Sequence, residues 1–194
     1  IKIEHRLTSD VAHELRTPLT VVDTHLQLAR MTPVADPGSL RSASEGVRRL
    51  RHTLDQLMSL TRAEGPGGSD NACESILGVL GDVIGRLPTD ARDRVKLQVS
   101  GTDTGTTIPY SMLSTAVRNV LDNALRYAGP DAPVELSVQF DRMRQRASIE
   151  VADRGPGMSE EELAHAGQRF WRGGRGRSSG DGAGLGLSIV DAIM

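Results

Sequence analysis

Hydrophobic residues in the first third of the chain recur at helical spacing in two separate runs. From Leu7 to Ala29 the apolar residues lie 4, 4, 4, 3, 4 and 3 positions apart, which puts them on one face of a helix. From Leu40 to Leu60 the spacings are 3, 4, 3, 4, 3 and 3, as in a coiled-coil seam. The proline-containing segment 32–38 between the two runs predicts a loop. The first third therefore predicts a helical hairpin.

A single hairpin of this kind has apolar stripes but too few layers to bury them. A second copy would supply the missing layers, so we expect a homodimer in which two hairpins form a four-helix bundle. Segment 64–69 contains three glycines and a proline, which end the second helix and mark a flexible boundary. The sequence therefore predicts a helical domain over residues 1–64, a linker over 65–73 and a second domain over 74–194.

In the second domain, stretches that alternate between apolar and polar residues lie between stretches with helical periodicity. The pattern predicts a helix over 74–87, a strand over 94–100, a helix over 110–128, and strands over 134–140 and 147–152. A glycine-rich loop and a final helix from about Gly184 follow. Strands interleaved with helices indicate an α/β layer.

Composition narrows the class of protein. The net charge of −2 argues against a general nucleic-acid binder, which neutralises many phosphates with basic side chains. No apolar run approaches the roughly 18 residues of a membrane span, and the single cysteine, Cys73, excludes an intrachain disulfide. Because the chain begins with Ile1 and not with Met, we expect it to be a piece of a longer protein. Glycine is concentrated in one region, since ten of the 21 glycines lie between Gly155 and Gly186.

His13 is the first candidate for chemistry. It lies two residues after the stripe residue Val11, about 200° around the helix, so the pattern predicts that it faces away from the apolar seam. Asp10, Arg16 and Thr17 fall on the same face. The alternative is an ordinary solvated polar face, which is also how we interpret the other four histidines, because none has the spacing of a metal site.

A second candidate site lies on the helix predicted over 110–128. Asn119 and Asn123 are four residues apart and share a face, which Arg126 joins. Asparagine is a mediocre helix former, so two on one face favour a function. A side-chain carbonyl can bind a hard cation such as Mg²⁺, and a nearby arginine can bind a phosphate. The alternative is that both asparagines cap or solvate the helix.

Two glycine-containing segments are the remaining candidate binding sites. Asp153 directly follows a predicted strand, and glycines after it would let a ligand approach the backbone, although a plain hairpin turn is the alternative. The segment 182–188 precedes an apolar helical run, so its amides could bind anionic phosphates. It is not a dinucleotide fingerprint, because Leu187 stands where the third glycine is required. A Walker A loop is also excluded, since neither lysine is preceded by glycine.

Taken in chain order, these segments resemble the sequence boxes of sensor histidine kinases. Residues 9–20 resemble the phosphoacceptor box of that family, and 119–127 its N box. Residues 153–157 look like its G1 box, 169–172 its F box, and 182–187 its G2 box. The likeness covers nearly the whole chain and is closest to the membrane-bound sensor kinases of bacterial two-component systems.

The resemblance implies a fold and a set of roles. It implies a dimeric helical hairpin followed by an ATP-binding α/β sandwich of the histidine-kinase and Hsp90 type, with ATP and Mg²⁺ as cofactors. Asn123 would bind Mg²⁺, with Asn119 beside it, and Asp153 would accept a hydrogen bond from adenine. Residues 158–183 would form a basic lid over ATP. The implied nucleotide-binding residues are Asn119, Asn123, Arg126, Tyr127, Asp153, Gly155, Gly157, Phe170, Arg172, Gly182, Gly184, Leu185 and Gly186.

The resemblance also implies the reaction and the partners. His13 would attack the γ-phosphorus of ATP, Glu14 would orient the imidazole and accept its proton, and the phosphoryl group would pass to an aspartate of a response regulator. Thr17 resembles the residue that orients water when such kinases dephosphorylate the regulator. The alternatives are a dimeric scaffold that only binds ATP and an ATPase that does conformational work.

Two further expectations concern what lies outside the chain. The sensory and membrane-spanning parts would precede Ile1, so this chain would be the cytoplasmic portion of a bacterial inner-membrane sensor. The catalytic domains of the family normally continue into two more strands after the G2 helix. Because the chain stops at Met194, we expect the sheet to lack them.

Overall fold

The computed structural model describes residues 72–173 and 184–194, and before them positions 19–20, 22–24, 38, 41–42, 44, 46–47 and 54. It divides into two compact units, one of residues 59–168 and 186–194 and the other of residues 1–58 and 169–185. The predictions for His13, Glu14, Thr17 and Gly182 lie outside the described residues. Within the described part, no helix is both long enough and apolar enough to cross a membrane.

The described positions before residue 55 are all helical, as the two apolar runs predict. Three members of those runs are exposed, Leu19 at 57%, Val47 at 38% and Leu54 at 43%. Gly38, which we predicted to be the last residue of the loop, is helical instead.

The larger unit contains most of the regular structure. Its strands are β1 (Ala72–Cys73), β2 (Val95–Ser100), β3 (Thr106–Pro109), β4 (Val134–Asp141) and β5 (Arg146–Ala152). Its helices are α1 (Ile76–Gly85), α2 (Thr89–Arg94), α3 (Tyr110–Tyr127), α4 (Glu160–His165) and α5 (Gly186–Ile193). The three predicted helices and three predicted strands of this region are confirmed, each within two residues at either end.

The main sheet has the order β2-β4-β5. Strand β2 pairs in parallel with β4, and β4 pairs with β5 as an antiparallel hairpin. The alternation predicted for β4 is confirmed, because Val134, Leu136, Val138 and Phe140 are buried and the residues between them are not. Helices α1 and α3 cover this apolar face, and α3 also packs against β5 and α5.

Four elements were not predicted, for three different reasons. Strands β1 and β3, which form a separate two-stranded sheet, are two and four residues long, too short for alternation to be recognised. Helix α2 has six residues and no buried side chain, so it has no apolar stripe. Helix α4 lies in the interval we predicted as a lid, although its capping box of Ser159 and Glu162 is a recognisable start signal.

The first turn of α1 is held from a distant loop. The Asp103 carboxylate accepts hydrogen bonds from the Ser75 hydroxyl and from the amides of Ile76, Leu77 and Gly105, at 2.8 to 3.2 Å. Burial alone would raise the pKa of Asp103, but these donors outweigh it and hold the pKa below its usual value. The ionised carboxylate therefore stabilises the start of the helix, where amides lack partners.

Candidate nucleotide-binding site

Helix α3 carries both candidate asparagines, and the structure gives them different surroundings. The Asn119 amide donates to the Thr115 carbonyl at 2.9 Å, one turn earlier in the helix. Its Oδ1 atom lies only 3.1 Å from where a Cβ would stand on Gly186, the first residue of α5. Asn119 therefore lies at the packing contact between the two helices, and a side chain at position 186 would crowd it.

Asn123, one turn further along α3, is half-buried. Among the described residues, nothing is hydrogen-bonded to its side chain. A half-buried amide without a protein partner is costly unless water or a ligand satisfies it. Its carbonyl oxygen is thus available to a hard cation.

The end of α3 meets the turn that follows β5. Asp153 comes directly after this strand, and its Oδ1 atom accepts a hydrogen bond from the Gly155 amide at 2.6 Å. A Cβ on Gly155 would lie 2.6 Å from that oxygen and 2.8 Å from the carbonyl oxygen of Tyr127. Position 155 therefore has no room for a side chain. Gly157 has φ +67°, a left-handed conformation that glycine adopts without strain.

The smaller unit brings two other predicted segments together. Gly184, with φ +69°, lies against the backbone of Phe170 and Trp171, where a Cβ would be 2.6 Å from the Trp171 carbonyl oxygen. Phe170 itself has φ +61°, which is unusual for a side chain of this size. Leu185 is fully buried and Arg172 half-buried. The segments that resemble the F and G2 boxes are therefore in backbone contact.

The two remaining predicted residues near the end of α3, Arg126 and Tyr127, are exposed. The Tyr127 carbonyl lies beside the turn that follows Asp153, so this end of α3 borders that turn. Sequence reasoning missed two residues that support this region, Thr115, which holds the Asn119 amide, and Arg94, which binds the carbonyls at the end of α3. Neither has a sequence signal, because arginine and threonine are ordinary helix residues.

The donor set fits Mg²⁺ delivered with a nucleotide better than a resident metal. Within residues 72–173 and 184–194 and the scattered positions before them, no three His, Cys, Asp or Glu side chains could together hold a metal ion. Mg²⁺ usually keeps several waters and binds one or two protein oxygens plus substrate phosphates. The Asn123 amide, which has no hydrogen bond to any described residue, suits that arrangement.

Comparisons with known proteins agree with this geometry. Residues 110–194 match the family model described as "Histidine kinase-, DNA gyrase B-, and HSP90-like ATPase", which defines the class of the α/β region as an ATP-binding fold. Residues 4–66 match the family model described as "His Kinase A (phospho-acceptor) domain". His13 and the residues around it lie within this second match.

The chain is also similar to curated proteins along almost its whole length. It is 34% identical to the sensor protein QseC of Salmonella typhi, over 98% of this chain and 42% of that protein. It is 35% identical to the sensor protein kinase PmrB of Pseudomonas aeruginosa, over 100% and 41%. It is 32% identical to the histidine-protein kinase/phosphatase MprB of Mycolicibacterium smegmatis, over 97% and 39%. The chain thus spans about two-fifths of these relatives.

A solved structure supports the fold. The histidine kinase AdeS of Acinetobacter baumannii matches with a TM-score of 0.69 and 24% identity, over 93% of this chain and 85% of that one. The two family matches together define the class of the whole chain. The chain belongs to the sensor histidine kinases of two-component systems, and the predicted fold class, a helical phosphoacceptor part followed by an α/β ATP-binding part, is confirmed.

Proposed function

We propose that this chain phosphorylates itself on His13 with ATP and Mg²⁺, and then passes the phosphoryl group to an aspartate of a response regulator. The single observation that carries the proposal is that one chain has a phosphoacceptor match at residues 4–66 and an ATPase match at 110–194. A donor domain and an acceptor domain in the same chain are what autophosphorylation requires.

On the donor side, we assign the roles that the family resemblance implies, and the surroundings of Asp153 and Asn123 support two of them. The Oδ1 atom of Asp153 is engaged by the Gly155 amide, which leaves the other carboxylate oxygen for the amino group of adenine. Asn123 would bind Mg²⁺ through its carbonyl oxygen, and Arg126 and Tyr127 would contact the nucleotide beside it. The backbone at Gly157 and Gly186 would also approach the nucleotide.

The reaction is a nucleophilic displacement at phosphorus. A neutral imidazole nitrogen of His13 forms a bond to the γ-phosphorus, the bond from that phosphorus to the bridging oxygen breaks, and ADP leaves. Glu14 accepts the proton from the other ring nitrogen, so the imidazole does not accumulate charge. Mg²⁺, when bound, neutralises the charge that develops on the phosphate oxygens.

On the acceptor side, we propose a homodimer. Leu19, Val47 and Leu54 belong to the predicted stripes yet are exposed within one chain, so a second hairpin would have an apolar surface to cover. The response regulator would dock around His13 through its receiver domain. The chain would act on the cytoplasmic side of a bacterial inner membrane, as part of a longer sensor protein.

Labelling with γ-³²P ATP tests the proposal. The parent protein should incorporate covalent label that is stable in base and lost in acid, because phosphohistidine has that behaviour. His13→Gln should incorporate none while its ATP affinity stays within about threefold, since the substitution leaves the donor domain unchanged. His25→Gln is the matched control, a histidine in the same domain match, and should be labelled like the parent.

The alternatives give different results in the same experiment. A scaffold that only binds ATP would bind the nucleotide without covalent label. An ATPase that does conformational work would release phosphate steadily without label on the protein. Equal labelling of His13→Gln and the parent would also overturn the assignment of the phosphoacceptor.

A further inference from the structure

Arg94 makes an unusual set of contacts for a surface arginine. Its Nη2 atom donates to the carbonyls of Gly129 at 2.8 Å, Leu125 at 3.3 Å and Ala128 at 3.5 Å, and its Nε donates to the Ala132 carbonyl at 3.0 Å. All four partners are main-chain oxygens between 31 and 38 residues away in the sequence. Arg94 is half-buried and is the last residue of α2, directly before β2.

These carbonyls belong to the end of α3 and to the loop that leaves it. The last carbonyls of an α-helix have no partner inside the helix, and a cation there also interacts favourably with the helix dipole. The Arg94 guanidinium joins the last turn of α3 to both ends of the 129–132 turn, which is closed by a 3.1 Å hydrogen bond from the Ala132 amide to the Gly129 carbonyl. One side chain therefore fixes where the helix stops and how the chain leaves it.

The same helix end forms one wall of the proposed adenine pocket. The Tyr127 carbonyl lies between the carbonyls of Leu125 and Ala128 in the sequence, and it approaches the Cβ position of Gly155 to 2.8 Å. Because Gly155 has no side chain, the Tyr127 carbonyl packs directly against the backbone of the turn that holds Asp153, and we expect a displacement of the helix end to shift that turn. The Asp153 carboxylate is tied to that turn by its bond to the Gly155 amide.

We infer that Arg94 is a positioning residue for nucleotide recognition, one that holds the end of α3 against the Asp153–Gly155 turn. The inference rests on the proposed function, because it takes that turn as the adenine site. An arginine suits this role because its planar guanidinium presents donors in a fixed fork, whereas lysine has one compact ammonium on a flexible stem. Arg94 would not touch the nucleotide.

Nucleotide titration of variants tests the inference. In calorimetry with ADP and Mg²⁺, Arg94→Ala should bind about tenfold more weakly than the parent, and Arg94→Lys about threefold, because lysine restores only part of the fork. Arg92→Ala is the matched control, since Arg92 also donates to a main-chain carbonyl, that of Leu87 at 3.1 Å, but away from this turn. It should bind within twofold of the parent.

Comparing the changes in KM and in kcat distinguishes a residue that positions the nucleotide site from one that only stabilises the fold. In Arg94→Lys the KM for ATP should rise while kcat at saturating ATP stays within about twofold, because the reacting groups are intact. A double-mutant cycle with Asp153→Asn should be non-additive, since Arg94 acts through the Asp153 turn. If Arg94→Ala does not fold, the Arg94→Lys measurements decide.

Two results would overturn the inference. One is ADP binding by Arg94→Lys, and by Arg94→Ala if folded, within twofold of the parent. The other is a strictly additive cycle with Asp153→Asn. If the proposed function were wrong but the Arg94 inference right, the parent would bind ADP without forming phosphohistidine. The ADP titrations would then still show whether Arg94 affects nucleotide binding.

Discussion

The phosphoacceptor segment and the nucleotide-binding region differ in how far apart in the sequence their proposed functional residues lie. In the first, the proposed groups His13, Glu14 and Thr17 lie within five consecutive positions of the sequence. In the second, the proposed groups of the larger unit lie on α3, on the turn after β5 and at the start of α5, between positions 119 and 186. Local sequence is enough to specify the first, whereas only the fold assembles the second.

Substitutions in the two regions should therefore have different effects on binding and on phosphoryl transfer. A change at the phosphoacceptor should remove chemistry and leave binding intact. Changes in the nucleotide-binding region should mix the two, because Gly155 is in contact with Tyr127 and Asn119 with Gly186. Residues of that region can therefore be sorted by whether they act on the fold, on the chemistry or on both.

Gly155→Ala should have the largest effect, since it acts on both. A Cβ there would meet backbone oxygen of Tyr127 and the Asp153 carboxylate at distances that force a displacement. We expect ATP affinity to fall by at least about 30-fold, equivalent to about 2 kcal/mol, measured by calorimetry. Gly129→Ala is the control, because a Cβ at Gly129 meets no atom within 4 Å. Equal loss in both variants would contradict the role assigned to the turn.

Asn123→Ala should separate chemistry from fold within α3. Because nothing among the described residues binds its side chain, we expect little change in stability and at least a tenfold loss of Mg²⁺-dependent labelling, as for removal of a metal ligand. Asn119→Ala should instead lower the free energy of unfolding by about 1 kcal/mol, since its amide binds the Thr115 carbonyl. Chemical denaturation and labelling of both variants check this. The prediction fails if Asn123→Ala unfolds more easily than Asn119→Ala.

Thr17→Ala tests whether the compact phosphoacceptor segment holds a second activity. Thr17 is four residues after His13, one turn along a predicted helix. If its hydroxyl orients the water that hydrolyses the regulator's aspartyl phosphate, the variant should lose about tenfold in phosphatase rate and keep its labelling rate. Dephosphorylation of the purified regulator at the parental rate would make Thr17 an ordinary surface residue.

Asp103→Asn should have the smallest effect and act on the fold alone. The pKa of Asp103 is lowered in the folded state, so its ionised form stabilises the protein above the unfolded pKa and that contribution is lost as pH falls through the folded pKa. At pH 7 the variant should lose about 1 kcal/mol, and the difference from the parent should shrink below about pH 4. Asp131→Asn, at an exposed aspartate, is the control. A constant difference at all pH values would contradict this account.

Periodicity predicted the elements that bury a regular face. Helix α3 and strand β4 were predicted almost residue for residue, because α3 has a buried stripe and β4 buries every second residue. Strands β1 and β3 and helix α2 were not, because two to six residues with little burial leave no periodic signal. The contacts of Asp103 with α1, and of Arg94 with α3 and the loop after it, join positions 26 to 38 residues apart, which local patterns do not report.

For the candidate site, the sequence identified the residues but not their different surroundings. Sequence boxes identified Asn119, Asn123 and Asp153. They did not show that Asn119 is hydrogen-bonded to the Thr115 carbonyl and packs against Gly186, while Asn123 has no partner among the described residues. Spacing on one helix face gave the two asparagines the same expected role. Their surroundings differ because α5, which begins 67 positions after Asn119, packs at one of them.

Finding which residue carries the phosphoryl group is the sharpest test that His13 is the phosphoacceptor. After incubation with ATP and Mg²⁺, tryptic digestion at alkaline pH should release the peptide Leu7–Arg16, in which His13 is the single histidine. We expect mass spectrometry to find the phosphoryl group on this peptide, and we expect mild acid to remove it. Three results would contradict phosphorylation of His13. The phosphoryl group could be found on a different peptide, it could resist acid, or the protein could bind ATP without becoming phosphorylated.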